Sequence, residues 1–217
     1  MKILVILVSH EMNSKYIDNI IILNNYMNIL KKNNIVEYCG ISNTNDFENY
    51  ENIIDFKYKI INNKKQFSKI SNFIMSYKED LNYDWYIKIR PDITLLEPII
   101  LENFLDTAIN ARARAYTGPK KIINGMSVNG KGWYNNIGDC FYDILEKEII
   151  LDDQFYVFHH NIINTGVFEI SEIDKNDWES EWFHTKKWNS RNINLNIIGI
   201  NLCLKNNIWS GNLNLDN

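Results

Sequence analysis

The chain begins with an unbroken apolar run, KILVILVS at residues 2–9, and this run constrains the fold more than any other segment. A strand with one face in water alternates polar and apolar residues, whereas a continuous apolar run is typical of a strand covered on both faces. The run spans only about seven apolar residues and no small-residue cleavage site follows it, which argues against a signal peptide. It therefore predicts a buried first strand in an α/β protein.

The segments that follow alternate between strand-like and helix-like patterns, as expected for an α/β sheet. In 66–81 the apolar residues recur at helical spacing, and Ser68, Lys69 and Asn72 fall on the opposite, polar face. The order predicts a Rossmann-like domain with a central, mostly parallel mixed sheet flanked by helices. Predicted strands are 2–9, 35–42, 53–61 and 84–90, and predicted helices are 14–32 and 66–81.

The second half of the chain has a less regular pattern. The Gly- and Asn-rich stretch 119–133 is too long and polar for a plain connection, so we expect a mobile lid there. No linker or repeat divides the chain, which predicts one domain over 1–217; its abrupt end would also suit an N-terminal domain excised from a longer protein. Helices are predicted at 98–110, 134–147 and 193–207, and a strand at 111–118.

Charge and cysteine content exclude several classes of protein. The net charge is −4, with 23 basic and 27 acidic residues, so a nucleic-acid partner is not expected. No segment is apolar enough to span a membrane. Three widely separated cysteines show no disulfide or metal spacing and indicate reduced thiols in a cytoplasmic protein, which we expect to be a monomer. The bias toward Asn and Ile is typical of AT-rich coding, and for a viral protein the compartment would be the host cytoplasm.

Polar residues follow three of the predicted strands, where open α/β sheets bind ligands. Ser9 and His10 come after the first strand, and Ser42 and Asn43 after the second. The strand at 84–90 ends in Arg-Pro-Asp, residues 90–92, and the proline ends the strand because it lacks a backbone donor. Asp92 is therefore a candidate ligand for a divalent cation on a diphosphate, with Arg90 neutralising phosphate charge. The alternative is a plain turn in which Asp92 caps a neighbour.

A second candidate site is LDDQF at 151–155. A placed carboxylate can deprotonate a hydroxyl, so Asp152 or Asp153 is a candidate general base, whereas the alternative is a helix cap. The pair His159-His160 lacks a third ligand of clear spacing, which favours core or surface histidines. His184 stands near basic residues, where phosphate contact and plain surface exposure are equally compatible with the sequence.

Four motifs in order, IKIRPDI, ARARAYTG, LDDQFYVF and NTGVFEIS, resemble small nucleotide-sugar glycosyltransferases of the GT-A fold. Such enzymes occur in polysaccharide gene sets of bacteria and of large DNA viruses, chlorella viruses among them. The resemblance extends from the first strand to about residue 171. It implies a GT-A-like domain that transfers sugar from a nucleoside diphosphate sugar, most simply a UDP-sugar, to a glycan or glycoprotein.

The resemblance also implies roles for individual residues. In the family an Asp-x-Asp motif after a central strand holds Mn²⁺ (or Mg²⁺) on the donor diphosphate, and this chain has Arg90-Pro91-Asp92 there instead. One carboxylate is therefore missing, and Asp92 would act as the metal ligand with Arg90 taking part of the phosphate charge. The other implied contacts are the nucleotide base at Ser9 and His10, the phosphate or donor sugar at Lys69 and Asn72, and the acceptor at Asp153 or Asp152.

Two other functions stay open on sequence grounds. A nucleotidyltransferase could use a similar sheet, although the segment after the first strand, SHEMNSK, lacks the glycines of its phosphate-binding signature. A non-catalytic carbohydrate-binding module would use aromatic residues for sugar stacking, and the chain has six Trp and twelve Tyr. Whether a transferase of this kind inverts or retains the anomeric centre is also left open.

Overall fold

The computed structural model describes residues 1–117, 122–123, 126–127, 132–134, 147–169, 193–198 and 202–204. Side chains are described for 1–111, for 154–169 and at 193, 194, 196 and 198. The described helices are α1 (Ile17–Leu30), α2 (Glu48–Glu51), α3 (Gln66–Tyr77) and α4 (His160–Ile163), with 3₁₀ turns at Ser14–Tyr16 and Leu101–Asn103.

Twelve strands are described, and most of them form one sheet. They are β1 (Lys2–Val8), β2 (Ile35–Ser42), β3 (Phe56–Ile61), β4 (Trp85–Ile89), β5 (Ile93–Leu95), β6 (Ala108–Thr117), β7 (Ile122–Ile123), β8 (Met126–Ser127), β9 (Gly132–Tyr134), β10 (Lys147–His159), β11 (Asn194–Ile197) and β12 (Leu202–Leu204).

The main sheet is mixed, with its parallel part built from the first half of the chain. Its order is β11-β6-β10-β4-β1-β2-β3, and β9 pairs with β6. Strand β1 runs parallel to β2 and β4, and β2 runs parallel to β3. Strand β10 is antiparallel to both β4 and β6. The predicted α/β class, with a mostly parallel first half, is confirmed.

Strand β1 lies at the centre of the parallel part, and its side chains alternate between two cores. Ile3, Val5 and Leu7 pack in the cluster that includes α1, whereas Leu4 and Ile6 pack in the cluster that includes α3. All five side chains are fully buried. Two covered faces explain why the sequence of this strand is apolar without interruption.

The predicted helix at 98–110 is wrong. A 3₁₀ turn is followed by β6, which begins at Ala108 and pairs with β10 and β11 on its two sides. Asn110 is buried, and its Nδ2 donates to the carbonyls of Leu105 at 2.9 Å and Val157 at 3.2 Å. Pairing with two distant strands outweighs the local helical spacing of the apolar residues. The strand predicted at 111–118 is confirmed, with an earlier start.

The predicted C-terminal helix at 193–207 is also wrong in the part that is described. Residues Asn194–Ile197 form β11, parallel to β6, and Leu202–Leu204 form β12, antiparallel to β5. Asn196 Nδ2 donates to Asn110 Oδ1 at 2.7 Å, so a side-chain bond supports the parallel pairing. Long-range partners that no local pattern reveals therefore decide this segment.

Two further predictions fall mostly outside the described residues. The first residue of the helix predicted at 134–147 is the last residue of β9, and its last residue is the first of β10. The residues between them, 135–146, lie outside the described part. Within 119–133 the structure describes a pairing of β7 with β8 and the start of β9, so the lid stays a prediction. Among the described helices, none combines the length and apolar character that crossing a membrane requires.

Candidate functional site

The carboxyl ends of β1 and β2 lie side by side and are joined by backbone hydrogen bonds. The N–H of Ser9 donates to the carbonyl of Ile41 at 3.0 Å, and the N–H of Asn43 donates to the carbonyl of His10 at 2.9 Å. The residues that the sequence singled out after these two strands therefore meet at one edge of the sheet, as predicted for a ligand crevice. His10 is exposed and Ser9 is half-buried.

Asp46, which the sequence analysis missed, fixes the loops that leave this edge. Its Oδ2 accepts from the backbone N–H of Met12 at 2.9 Å, and its Oδ1 lies 3.2 Å from Ser42 Oγ. One carboxylate thus ties the loop after β1 to the end of β2. The loop that carries Ser9 and His10 is held in place by this bond and by the strand ends.

The Arg90-Pro91-Asp92 turn leaves the carboxyl end of β4, the neighbour of β1. Arg90 Nε donates to Asp92 Oδ1 at 2.9 Å, and its Nη2 donates to Asp92 Oδ2. The side chains of the pair keep 26% and 20% of their exposure, so the pair is partly accessible to solvent. Asp92 therefore forms a bidentate ion pair, which distinguishes this turn from the plain capped turn considered above.

A buried side chain of α1 supports the turn from below. Asn19 Nδ2 donates to the carbonyl of Pro91 at 3.0 Å, and Asn19 Oδ1 accepts from Thr94 Oγ1 at 2.7 Å. Asn19 is 2% exposed. Its two partners, Pro91 and Thr94, lie on either side of Asp92 in the sequence. The two bonds therefore fix the backbone that carries the carboxylate.

Lys69 of α3 is fully buried, although the helical pattern placed it on the polar face. Its Nζ donates to the carbonyl of Ser9 at the end of β1. Burial lowers the pKa of this lysine from its ordinary value of 10.5 to about 8. A cation is therefore held at the carboxyl edge of the sheet in surroundings that disfavour charge.

Lys88 is a second buried cation on the same face of the sheet, and the sequence analysis did not assign it a role. It is 1% exposed, its Nζ donates to Gln66 Oε1 at 3.1 Å, and it lies 5.5 Å from the centre of the Tyr156 ring. The available signal was the single lysine inside the apolar run of β4, because lysine is rarely fully buried without a partner.

The two predicted acids, Asp152 and Asp153, lie in an irregular part of β10. Leu151 stands opposite Ala113 of β6 and Tyr156 stands opposite Ala111, so residues 152–155 bulge against a single residue of β6. Strand β10 runs through this region to His159, so no helix begins there and the helix-cap alternative is wrong. Bulges of this kind are frequent next to active sites because they redirect side chains.

The bulge lies directly beside the Arg-Pro-Asp turn. The backbone N–H of Arg90 donates to the carbonyl of Gln154 at 3.1 Å, next to the pairing of Phe155 with Ile89. The side chains of Asp152 and Asp153 lie outside the described part, so their directions stay predictions. What the fold brings together is the backbone of both motifs.

The remaining predicted residues lie elsewhere. Asn72 lines a groove along α3 with Ser68 and Ser71, and no described hydrogen bond joins it to the loop after β1. His184 lies outside the described residues, so its contact with phosphate stays a prediction.

The two adjacent histidines lie at the amino end of β4, away from the crevice. His159 Nδ1 accepts from the backbone N–H of Asn161 at 3.2 Å and so caps α4. His160 Nδ1 lies 3.2 Å from the Tyr86 hydroxyl. Both rings make structural contacts, in agreement with the favoured interpretation of this pair.

The divalent cation that the resemblance implies stays a prediction. Among them, no group of three His, Cys, Asp or Glu side chains converges on one point. Asp92 is the carboxylate at the crevice, and both of its oxygens accept hydrogen bonds from Arg90. A cation there would need phosphate oxygens and water for its other ligands, which is how Mg²⁺ is often bound.

Comparison with solved structures relates this arrangement to known folds. A protein from Bacillus anthracis described as a glucose-1-phosphate thymidylyltransferase superposes with a TM-score of 0.55 at 10% identity, covering 96% of this chain and 91% of the other. The chain shares the fold of this nucleotidyltransferase. The GT-A-like fold class expected from the motifs is confirmed to that extent.

Two other structures match with lower scores. A glycosyltransferase involved in glycosylation of the major capsid of PBCV-1 has a TM-score of 0.44 at 9% identity, covering 86% of this chain and 73% of that one. An inositol-1-phosphate CTP transferase from T. maritima has a TM-score of 0.46 at 10% identity, covering 96% and 90%. No family model and no curated protein matches the sequence.

Proposed function

We propose that this protein is a glycosyltransferase that moves a sugar from a nucleoside diphosphate sugar, most simply UDP-linked, to a glycan or glycoprotein acceptor. One observation carries the proposal, namely the 3.1 Å bond from the N–H of Arg90 to the carbonyl of Gln154. It sets the Arg-Pro-Asp turn beside the bulge that holds Asp152 and Asp153. In this proposal the turn provides the groups for the diphosphate, and the side chains of Asp152 and Asp153 face the same crevice, where they meet the acceptor hydroxyl.

The cations at the crevice support a diphosphate ligand. Arg90 is accessible at the end of β4, and Lys69 is buried at the end of β1. An ammonium carries three N–H donors, and the carbonyl of Ser9 accepts one of them. Burial strengthens the attraction between Lys69 and an anion because little water screens it. We therefore assign the leaving diphosphate to Lys69 and Arg90.

The loops after β1 and β2 suit the nucleotide base. Ser9 and His10 lie at this edge, and His10 Nδ1 is 3.4 Å from Asn43 Nδ2. Backbone and side-chain polar groups at strand ends can read the edge of a base, while the exposed imidazole offers a surface for stacking. In this proposal the base lies over β1 and the diphosphate extends toward β4.

A divalent cation, Mn²⁺ or Mg²⁺, is the proposed cofactor, with Asp92 as its protein ligand. When bound, it would neutralise charge on the departing diphosphate. Asp92 would hold the cation through acceptor sites that its two bonds to Arg90 do not use, since an ionised carboxylate has about four. Arg90 would add positive charge beside the phosphate oxygens.

Asp153, with Asp152 as the alternative, is the proposed acid on the acceptor side. In an inverting enzyme this carboxylate would take the proton of the acceptor hydroxyl as the hydroxyl attacks the sugar. In a retaining enzyme it would bind the sugar instead.

A nucleotidyltransferase is the second candidate, and the superposition on the thymidylyltransferase favours it. Such an enzyme joins a nucleoside triphosphate to a sugar phosphate and releases pyrophosphate. The loop after β1, SHEMNSK, has no glycine to let its backbone wrap a triphosphate. We therefore rank glycosyl transfer first.

One assay pair separates the two candidates. The protein is incubated with a panel of nucleotide sugars and Mn²⁺, and release of nucleoside diphosphate is measured. In parallel, nucleoside triphosphates and sugar 1-phosphates are supplied, and pyrophosphate is measured. We expect diphosphate release with at least one nucleotide sugar. Pyrophosphate release alone would establish the second candidate, and neither product would favour a non-catalytic carbohydrate-binding module.

A further inference from the structure

A groove of about 570 Å³ lies along one side of α3, apart from the contacts made by Lys69 and Arg90. It is formed by the segment that leads into α3, by successive turns of that helix, and by Glu169 after α4. We call it the α3 groove. Its described lining includes Lys64, Lys65, Ser68, Ser71, Asn72 and Glu169.

Ser71 is the feature of the α3 groove that points to a ligand. The residue is fully buried, and its Oγ has no hydrogen-bond partner among the described atoms. A buried hydroxyl without a partner costs free energy, so native proteins rarely keep one without a reason. A ligand in the groove would supply the missing partner.

The opposite wall depends on a glycine of the NTG motif. Gly166 has a φ of +75°, a conformation that other residues rarely adopt. A Cβ at this position would lie 3.1 Å from the Glu169 carboxylate, closer than ordinary contact. The positive φ of Gly166 forms the turn in which the N–H of Glu169 donates to the carbonyl of Gly166 at 3.1 Å, beside the groove. This explains a motif that the proposed donor site does not use.

The described lining offers groups that suit an acidic sugar. Ser68, Ser71 and Asn72 offer hydroxyl and amide groups that match sugar hydroxyls in both donor and acceptor roles. Lys64 and Lys65 add two ammonium groups at the end that leads into the helix, against one carboxylate at Glu169. The excess of positive charge favours a ligand that carries an anionic group.

We propose that the α3 groove binds a saccharide unit that carries a carboxylate or a phosphate. Asn72 would then contact this sugar, rather than the donor diphosphate to which the sequence pattern assigned it. The idea that the bound sugar is part of the acceptor rests on the proposed function. The idea that the groove binds an acidic sugar does not depend on that function.

Binding is tested by isothermal titration of the full chain with glucuronate, glucose 6-phosphate, glucose and inorganic phosphate. We expect at least one of the two acidic sugars to bind more tightly than glucose and phosphate. Ser71→Ala should weaken that binding by about fivefold, as expected for one lost hydrogen bond. Lys64→Ala with Lys65→Ala should weaken it further, whereas Lys32→Ala, an exposed lysine after α1, should not.

Three binding results overturn the proposal. They are the absence of binding by both acidic sugars, binding that the groove variants leave unchanged, and phosphate binding as tight as that of glucose 6-phosphate and glucuronate. The last result would identify an anion site without sugar recognition.

A stability measurement checks the premise about Ser71 independently of any ligand. Ser71→Ala removes a buried hydroxyl that lacks a partner, so its melting temperature should rise more than that of Ser76→Ala. Ser76 is the matched control because it is exposed on the same helix and undergoes the same gain in helix propensity. A lower melting temperature for Ser71→Ala would show that the hydroxyl has a protein partner, and would remove the support for the site.

UDP binding, measured in parallel, separates this proposal from the proposed function. If an acidic sugar binds in the α3 groove and no nucleotide binds, the transferase assignment fails and the groove stands. If UDP binds and transfer occurs while no acidic sugar binds, the groove fails and the transferase assignment stands.

Discussion

The backbone N–H of Arg90 donates to the carbonyl of Gln154 at 3.1 Å, and this bond joins two segments that lie far apart in the sequence. Strand β4 ends at Ile89, and its antiparallel partner β10 pairs Phe155 with that residue. The turn after β4 and the bulge within β10 therefore meet at one point of the edge. This contact is the basis for treating both motifs as parts of one site.

Asp92→Asn tests the proposed cation ligand. The variant keeps the shape of the side chain and removes its charge, so we expect the Mn²⁺-dependent part of donor affinity to be lost. Because the pair with Arg90 is partly exposed, stability should fall by only about 1 kcal/mol. Donor titration with and without Mn²⁺ measures the effect, and Asp55→Asn, an exposed acid before β3, is the control. Unchanged turnover in Asp92→Asn would refute the assignment.

Lys69→Met tests whether a buried charge is kept for binding at a cost in stability. The drop in pKa from 10.5 to about 8 corresponds to roughly 3 kcal/mol of unfavourable free energy for the charged form in the folded protein. Replacing Lys69 with methionine, an apolar side chain of similar length, removes this cost and should raise the free energy of unfolding. The loss of the hydrogen bond to Ser9 offsets about 1 kcal/mol of that gain. UDP affinity should fall. Chemical denaturation and UDP titration give both quantities, and reduced stability would indicate a structural lysine.

The same lysine predicts a pH dependence. Between pH 8 and 10.5 the unfolded chain holds this proton and the folded protein has released it, so the contribution of Lys69 to stability increases with pH in this window. The affinity for an anion should change in the opposite direction and decrease as pH rises through about 8. Denaturation and UDP titration from pH 7 to 10 check both trends. The Lys69→Met variant should lack them.

Asn19→Leu tests the support of the turn that carries Asp92. The variant loses the bonds to Pro91 and Thr94, and we expect a loss of stability of about 2 kcal/mol. Asn24→Leu is a matched control on the same helix, because Asn24 also donates to a carbonyl, that of Ile53, and accepts from a hydroxyl, that of Tyr38. Donor affinity, measured well below both melting temperatures, should fall in Asn19→Leu alone. Equal affinities would show that the turn holds its geometry without Asn19.

Asp153→Asn tests the proposed base on the acceptor side. We expect sugar transfer to fall by on the order of 100-fold, the usual effect of losing a general base, while donor affinity barely changes. Transfer rates and donor titration are measured in the same variant, with Asp152→Asn beside it. If donor binding collapses while the chemical step survives, Asp153 is a donor ligand and Asp152 becomes the candidate base.

Local patterns in the sequence were sufficient for the first half of the fold. The continuous apolar run of β1 predicts a strand with two covered faces, and the apolar stripe of α3 predicts a helix on one of them; both are confirmed. These signals are reliable because each repeats over many residues and depends only on which faces are buried. The placement of polar residues after β1, β2 and β4 follows from the same periodicity, since parallel neighbours end at one edge.

Only the tertiary structure decided the second half of the fold, the burial of Lys69 and the contact between the two candidate motifs. Ala108–Thr117 and Asn194–Ile197 are strands because each finds a partner across the chain, and hydrogen bonds to distant residues override the weak helical pattern. Lys69 is buried because the end of β1 places the carbonyl of Ser9 over that face of α3, which no property of the helix itself reveals. The bond between Arg90 and Gln154 likewise exists only once β10 has inserted beside β4 in this register.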